Sequence, residues 1–65
     1  MKLVVNGQES DIAAKTIAEV VAALGYQGHH FAVALNMTHI PHSRYAEVSL
    51  KTGDEIEILM PMQGG

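Results

Sequence analysis

A chain of 65 residues is one domain, and at this size a single hydrophobic core supplies only about 3–5 kcal/mol of net stability, leaving little volume to hollow into a catalytic cleft. With 48% hydrophobic and 17% charged residues it has the composition of an ordinary globular domain rather than a disordered one. Four Lys plus Arg against seven Asp plus Glu, a formal net charge of −3, give no footprint for a phosphate backbone and favour a partner with a basic surface over nucleic acid.

Lys2 to Val5 is a short β-rich run ending at Asn6-Gly7, the dipeptide that best tolerates the two positive φ values of a type I′ hairpin turn. Gln8 to Ile12 is the predicted return strand, and alternation puts Leu3 and Val5 on one face of the first strand and Lys2 and Val4 on the other. Thr16 and Glu19 then have the spacing of a capping box, in which Thr16 accepts from the Glu19 amide and the Glu19 carboxylate reaches back to the Thr16 amide. Ile17, Val20, Val21 and Leu24 follow at helical spacing as one apolar stripe, with Ala18, Ala22 and Ala23 adding helix propensity between them. Gly25 stands where a left-handed cap is wanted, so the spacing predicts a helix over Ile17 to Leu24.

Past a polar loop through Gln27, Gly28, His29 and His30, the run Phe31 to Asn36 reads as a third strand with Val33 and Leu35 facing inward. Thr38 to Ile40 is a short fourth strand stopped by Pro41, which lacks an N–H. Ser43 to Glu47 suits one helical turn capped by Ser43, with Arg44 and Tyr45 packing it against the sheet. After a turn at Lys51-Thr52-Gly53-Asp54, the last strand runs from Glu55 to Met60, with Ile56, Ile58 and Met60 on one face and Glu55, Glu57 and Leu59 on the other. The order of elements implies an α+β fold: one mixed sheet packed on a single helix, its first and last strands adjacent and parallel.

Residues 1–60 therefore form the domain, and residues 61–65, Pro61-Met62-Gln63-Gly64-Gly65, form a flexible tail with nothing to anchor it by packing. Five residues at about 3.3–3.6 Å each reach roughly 17 Å, enough to enter another protein's active site while the folded body stays outside. Gly64 and Gly65 carry no Cβ and can thread a narrow channel. The terminal carboxylate of Gly65 is a poor acyl donor until activated. Adenylation by ATP supplies an AMP leaving group, which a sulfur nucleophile on a partner can displace to give a thiocarboxylate. The chain has no GxxxxGK[ST] phosphate loop, so the ATP site belongs to the partner, and with no Cys the sulfur cannot ride on a side-chain thiol. Two glycines at a terminus are also what a frayed end looks like; here they follow a complete domain pattern.

Leu59, Pro61, Met62 and Gln63 are the candidate docking residues, with Leu59 and Met62 partly exposed and Met60 in the core. The spacing of His39-Ile40-Pro41-His42 resembles a ligand pair, yet no Cys or carboxylate completes a set and Pro41 limits convergence, so no metal is expected and the loop histidines are read as solvated. No apolar run reaches the ~18 residues of a membrane span. Met1-Lys2-Leu3-Val4-Val5 is not a signal peptide, and the absence of Cys shows no oxidising compartment, so the expected location is cytoplasmic.

Val5-Asn6-Gly7, Thr16-Ile17-Ala18-Glu19, Val33-Ala34-Leu35-Asn36, Ile40-Pro41, Ser43-Arg44-Tyr45-Ala46, Gly53-Asp54-Glu55-Ile56-Glu57-Ile58 and Gly64-Gly65, taken in order, resemble the ubiquitin-like sulfur carriers, the ThiS-like carriers of thiamin biosynthesis above all. The resemblance covers nearly the whole chain. It implies a β-grasp fold and a non-enzymatic carrier without a cofactor, monomeric when free. It also implies that Gly65 is adenylated and thiocarboxylated by an E1-like adenylyltransferase and gives its sulfur to thiazole synthase. The sequence departs from the family's pattern at Met37-Thr38, where Gly and an acidic residue usually follow the Asn, and at His42, where Arg is common. Delivery to a molybdopterin-type or amino-acid pathway, attachment to lysines as a ubiquitin-like modifier, and a plain binding module with an inert tail are the alternatives.

Overall fold

In the computed structural model, which describes residues 1–26 and 30–60, the Asn-Gly pair folds the first hairpin. Strand β1 (Lys2–Val5) lies antiparallel to β2 (Gln8–Asp11), from Lys2 opposite Asp11 to Val5 opposite Gln8. Asn6 and Gly7 take φ values of 50° and 81°, both left-handed as a type I′ turn requires. Strand β2 stops one residue short of the expected Ile12, which turns into the core while its N–H donates to the Met1 carbonyl at 2.9 Å.

Helix α1 (Ile17–Ala23) starts at Thr16, whose Oγ1 accepts the Glu19 N–H at 3.2 Å. The Glu19 carboxylate reaches back one residue further than a capping box predicts, accepting the Lys15 N–H at 2.6 Å rather than that of Thr16. The Lys15 peptide is held there by a second strand-like contact, its carbonyl accepting the Leu50 N–H at 2.8 Å. At the other end Gly25 adopts φ 86°. The Gly25 N–H donates to Ala22 and the Tyr26 N–H to Val21, the paired bonds of a Schellman cap. Ile17, Val20 and Val21 are buried, whereas Leu24 is 43% exposed: it is the cap residue, past the last helical turn, and drops out of the expected stripe.

Strands β3 (Ala32–Leu35) and β4 (Thr38–Ile40) form a second hairpin, with Val33 opposite Ile40. It turns at Asn36 and Met37, with φ values of 49° and 73°. A 3₁₀ turn at His42–Arg44 follows, with Pro41 as its N-cap and no side-chain cap, where Ser43 was expected to cap a turn beginning later. Pro41 sets the start, since its fixed φ ends the strand and its carbonyl accepts the Arg44 N–H at 2.9 Å. Tyr45 packs into the core as expected, while Arg44 stays in solvent 3.9 Å from Glu47.

Strand β5 (Glu55–Leu59) completes a sheet ordered β2-β1-β5-β3-β4. It runs parallel to β1, with Val5 opposite Ile56, and antiparallel to β3, with Val33 opposite Ile58. This is the mixed sheet that the element order implied, in the β-grasp arrangement that the family resemblance implied. Leu3, Val33 and Ile56 from the sheet meet Ile17 and Val20 from the helix as the largest fully buried side chains. Met60, expected in the core, is instead 60% exposed. Alternation points it inward, but β1 has already turned at Asn6 and β3 begins at Ala32 opposite Leu59, so no sheet continues beneath it.

Candidate functional site

The predicted tail departs from the end of β5, so that strand and what holds it are the described part of the site. Of the predicted site residues, Leu59 is described; Pro61, Met62, Gln63, Gly64 and Gly65, and with them the tail as a unit, lie outside the described residues.

Strand β5 alternates strictly, with Ile56 and Ile58 buried and Glu55, Glu57 and Leu59 outside. Leu59 is 64% exposed and lies opposite Ala32, and Glu57 lies opposite Ala34. Beside Leu59 the outer face is therefore small and apolar along β3 and carries two carboxylates along β5. That chemistry suits a partner with an apolar patch next to basic side chains.

Two asparagines, one on each flank, bond to β5. Asn6 Oδ1 accepts the Ile58 N–H at 2.8 Å, and Asn36 Oδ1 accepts the Glu55 N–H at 2.9 Å. Asp54, buried to 5% exposure, accepts from the Lys51 N–H at 2.9 Å and from the Asn36 side-chain amide at 3.2 Å. Sequence reasoning passed over these contacts. The signal that could have found them is the repeated pattern of an apolar strand ending in Asn, at Val5-Asn6 and Leu35-Asn36.

Toward the start of β3, Tyr26, Phe31, His42 and Tyr45 form an aromatic cluster, with ring centroids 4.8 Å apart for His42 and Tyr45 and 5.2 Å for Phe31 and His42. His42 is thus half-buried among rings rather than simply solvated. Burial pushes the Tyr45 phenol above its ordinary value, an effect that the nearby Val33 backbone partly offsets. His39 is exposed on β4. Among the described residues no group of three or more His, Cys, Asp or Glu is placed to hold a metal ion.

Open depressions are found among the described residues. One of about 430 Å³ is lined by Met1, Ala13, Ala14, Lys15 and Glu19, and one of about 200 Å³ by Lys2, Glu9, Ser10 and Asp11. Neither involves β5, and the Glu19 carboxylate in the first is taken by the Lys15 amide. Among the described residues no helix is long and apolar enough to cross a membrane.

Comparison with known proteins agrees with the fold. The sequence profile of the ThiS family matches residues 3–65. The crystal structure of a thiamine biosynthesis protein (ThiS) from Geobacter metallireducens superposes with a TM-score of 0.82 at 32% identity, covering 100% of both chains. A protein of Paramagnetospirillum magneticum named thiazole synthase is 38% identical over 66 residues; this covers 100% of the present chain but 20% of that relative's length.

Proposed function

The chain belongs to the ThiS family, and on that premise we propose that it is a sulfur carrier of thiamin biosynthesis whose reactive group is the Gly65 carboxylate. The observation that carries this reading is the family match itself, which extends through Gly64 and Gly65. The folded body, residues 1–60, presents a tail of residues 61–65 to enzymes that do the chemistry. Leu59, Pro61, Met62 and Gln63 guide docking, and Gly64 lets the backbone pass.

An E1-like adenylyltransferase binds ATP, and a Gly65 carboxylate oxygen attacks the α-phosphorus as pyrophosphate leaves. Hydrosulfide then adds to the acyl carbon, the C–O bond to AMP breaks and AMP leaves with the bonding electron pair, and loss of the thioacid proton gives the thiocarboxylate. The carrier holds the acyl group and is not itself the catalyst. We take thiazole synthase as the acceptor, a reading supported by the relative of that name that contains a segment similar to this whole chain. The free carrier is monomeric and works in the cytoplasm.

The test is ATP–pyrophosphate exchange catalysed by the activating enzyme. Gly65→Ala is expected to abolish most of the exchange while thermal unfolding stays unchanged, and undiminished exchange contradicts the reading. Transfer of the acyl group to target lysines instead of sulfur loading identifies a ubiquitin-like modifier.

A further inference from the structure

In a parallel pair, a residue donates its N–H to one partner residue and its carbonyl accepts from the residue two positions further along. Asn6 keeps the first bond, its N–H donating to the Ile56 carbonyl at 2.9 Å. Its φ of 50° carries the main chain off into the hairpin, and the second bond is made by the side chain, Oδ1 accepting the Ile58 N–H at 2.8 Å. Asn36 repeats the substitution on the other flank. Its φ is 49°, its N–H donates to the Glu55 carbonyl at 2.7 Å, and its Oδ1 accepts the Glu55 N–H at 2.9 Å. This restores the two-bond exchange of an antiparallel pair. Asp54 fixes the Asn36 amide by accepting from its nitrogen.

These bonds matter because the hydrophobic pattern leaves the register of β5 open. In Glu55-Ile56-Glu57-Ile58-Leu59-Met60, a slip of two residues puts Ile58 where Ile56 was and Met60 where Ile58 was. The buried face keeps its apolar character, while on the outer face Leu59 takes the place of Glu57. Such a slip moves the start of the tail by about 6.6 Å, more than a third of its roughly 17 Å reach. Acyl activation needs the reacting atoms within about 3–3.5 Å.

We propose that Asn6, with Asn36 on the opposite flank, is a positioning residue that locks β5 in register, so that the acyl-bearing tail leaves the sheet at a fixed point. The inference rests on the carrier reading above. Asn is suited to the task because it tolerates left-handed φ and carries a carbonyl on a short side chain.

Asn6→Gly keeps the turn and deletes the acceptor, while Asn6→Asp keeps both. The Ile58 amide is expected to exchange with solvent faster in Asn6→Gly and to regain protection in Asn6→Asp. With the activating enzyme, the kcat for adenylation is expected to fall roughly 10- to 100-fold in Asn6→Gly, with KM for the carrier nearly unchanged and Asp restoring the rate. A fully folded Asn6→Gly protein with wild-type kcat, or a loss confined to KM, overturns the inference. Wild-type protein that the enzyme does not adenylate sinks the carrier reading, and this inference with it, which separates the two failures.

Discussion

Leu59 stands directly opposite Ala32 on the neighbouring strand, 64% exposed, at the last paired position before the tail. A large apolar side chain left uncovered there adds little to the core, which supports the docking role proposed for it. Leu59→Ala is expected to shift stability by no more than about 0.5 kcal/mol. The same change is expected to raise KM for the activating enzyme roughly 5- to 30-fold, the equivalent of about 1–2 kcal/mol of lost contact. Calorimetry and adenylation kinetics on one preparation check both halves; a destabilised protein with unchanged KM contradicts the docking role.

Leu3 is fully buried on the inner face of β1. Leu3→Ala is expected to cost about 2–5 kcal/mol, comparable with the entire net stability of about 3–5 kcal/mol that a domain this small commands. The variant should be largely unfolded by circular dichroism at 37 °C, while Met60→Ser, on an exposed side chain, should unfold like the wild type.

Met37 holds φ 73° with 88% of its surface exposed. A left-handed backbone costs a residue with a Cβ about 1–2 kcal/mol, and glycine avoids that cost. Met37→Gly is therefore expected to stabilise the domain by about 1 kcal/mol, less whatever extra entropy glycine brings to the unfolded chain. A lower urea midpoint than wild type contradicts this.

The Met1 ammonium hydrogen-bonds Asp11 at 2.9 Å, and that bond, followed by the ammonium's charge, holds the Asp11 carboxyl below its ordinary range. A depressed folded pKa adds stability that is present above the unfolded value of about 3.9 and is lost as pH falls through the lower folded value. Asp11→Asn is expected to lose less melting temperature than wild type between about pH 5 and pH 2. Identical acid limbs contradict the pairing.

What the sequence disclosed follows from how local each signal is. Asn6-Gly7, Thr16 before the helix and Gly25 after it act within a few residues, and each folds as its chemistry dictates. The second turn escaped because Met37 is no turn signal; Asn36 alone marks it, and its role depends on Glu55, far along the chain. Met60 was misplaced because alternation tells which way a side chain points but not whether anything lies there. The two terminal glycines and the family pattern are what the sequence offers for the proposed site, whereas the grip of Asn6 on Ile58 spans 52 positions and leaves no periodic trace.

The central claim is that Gly65 bears the transferable acyl group, and the mass of the intact carrier tests it most directly. After incubation with the activating enzyme, ATP and a sulfur source, the protein should gain about 16 Da by exchange of one oxygen for sulfur, with fragmentation placing the gain on Gly65. A carrier whose mass does not change, or whose gain maps to a residue within the folded body, contradicts the account.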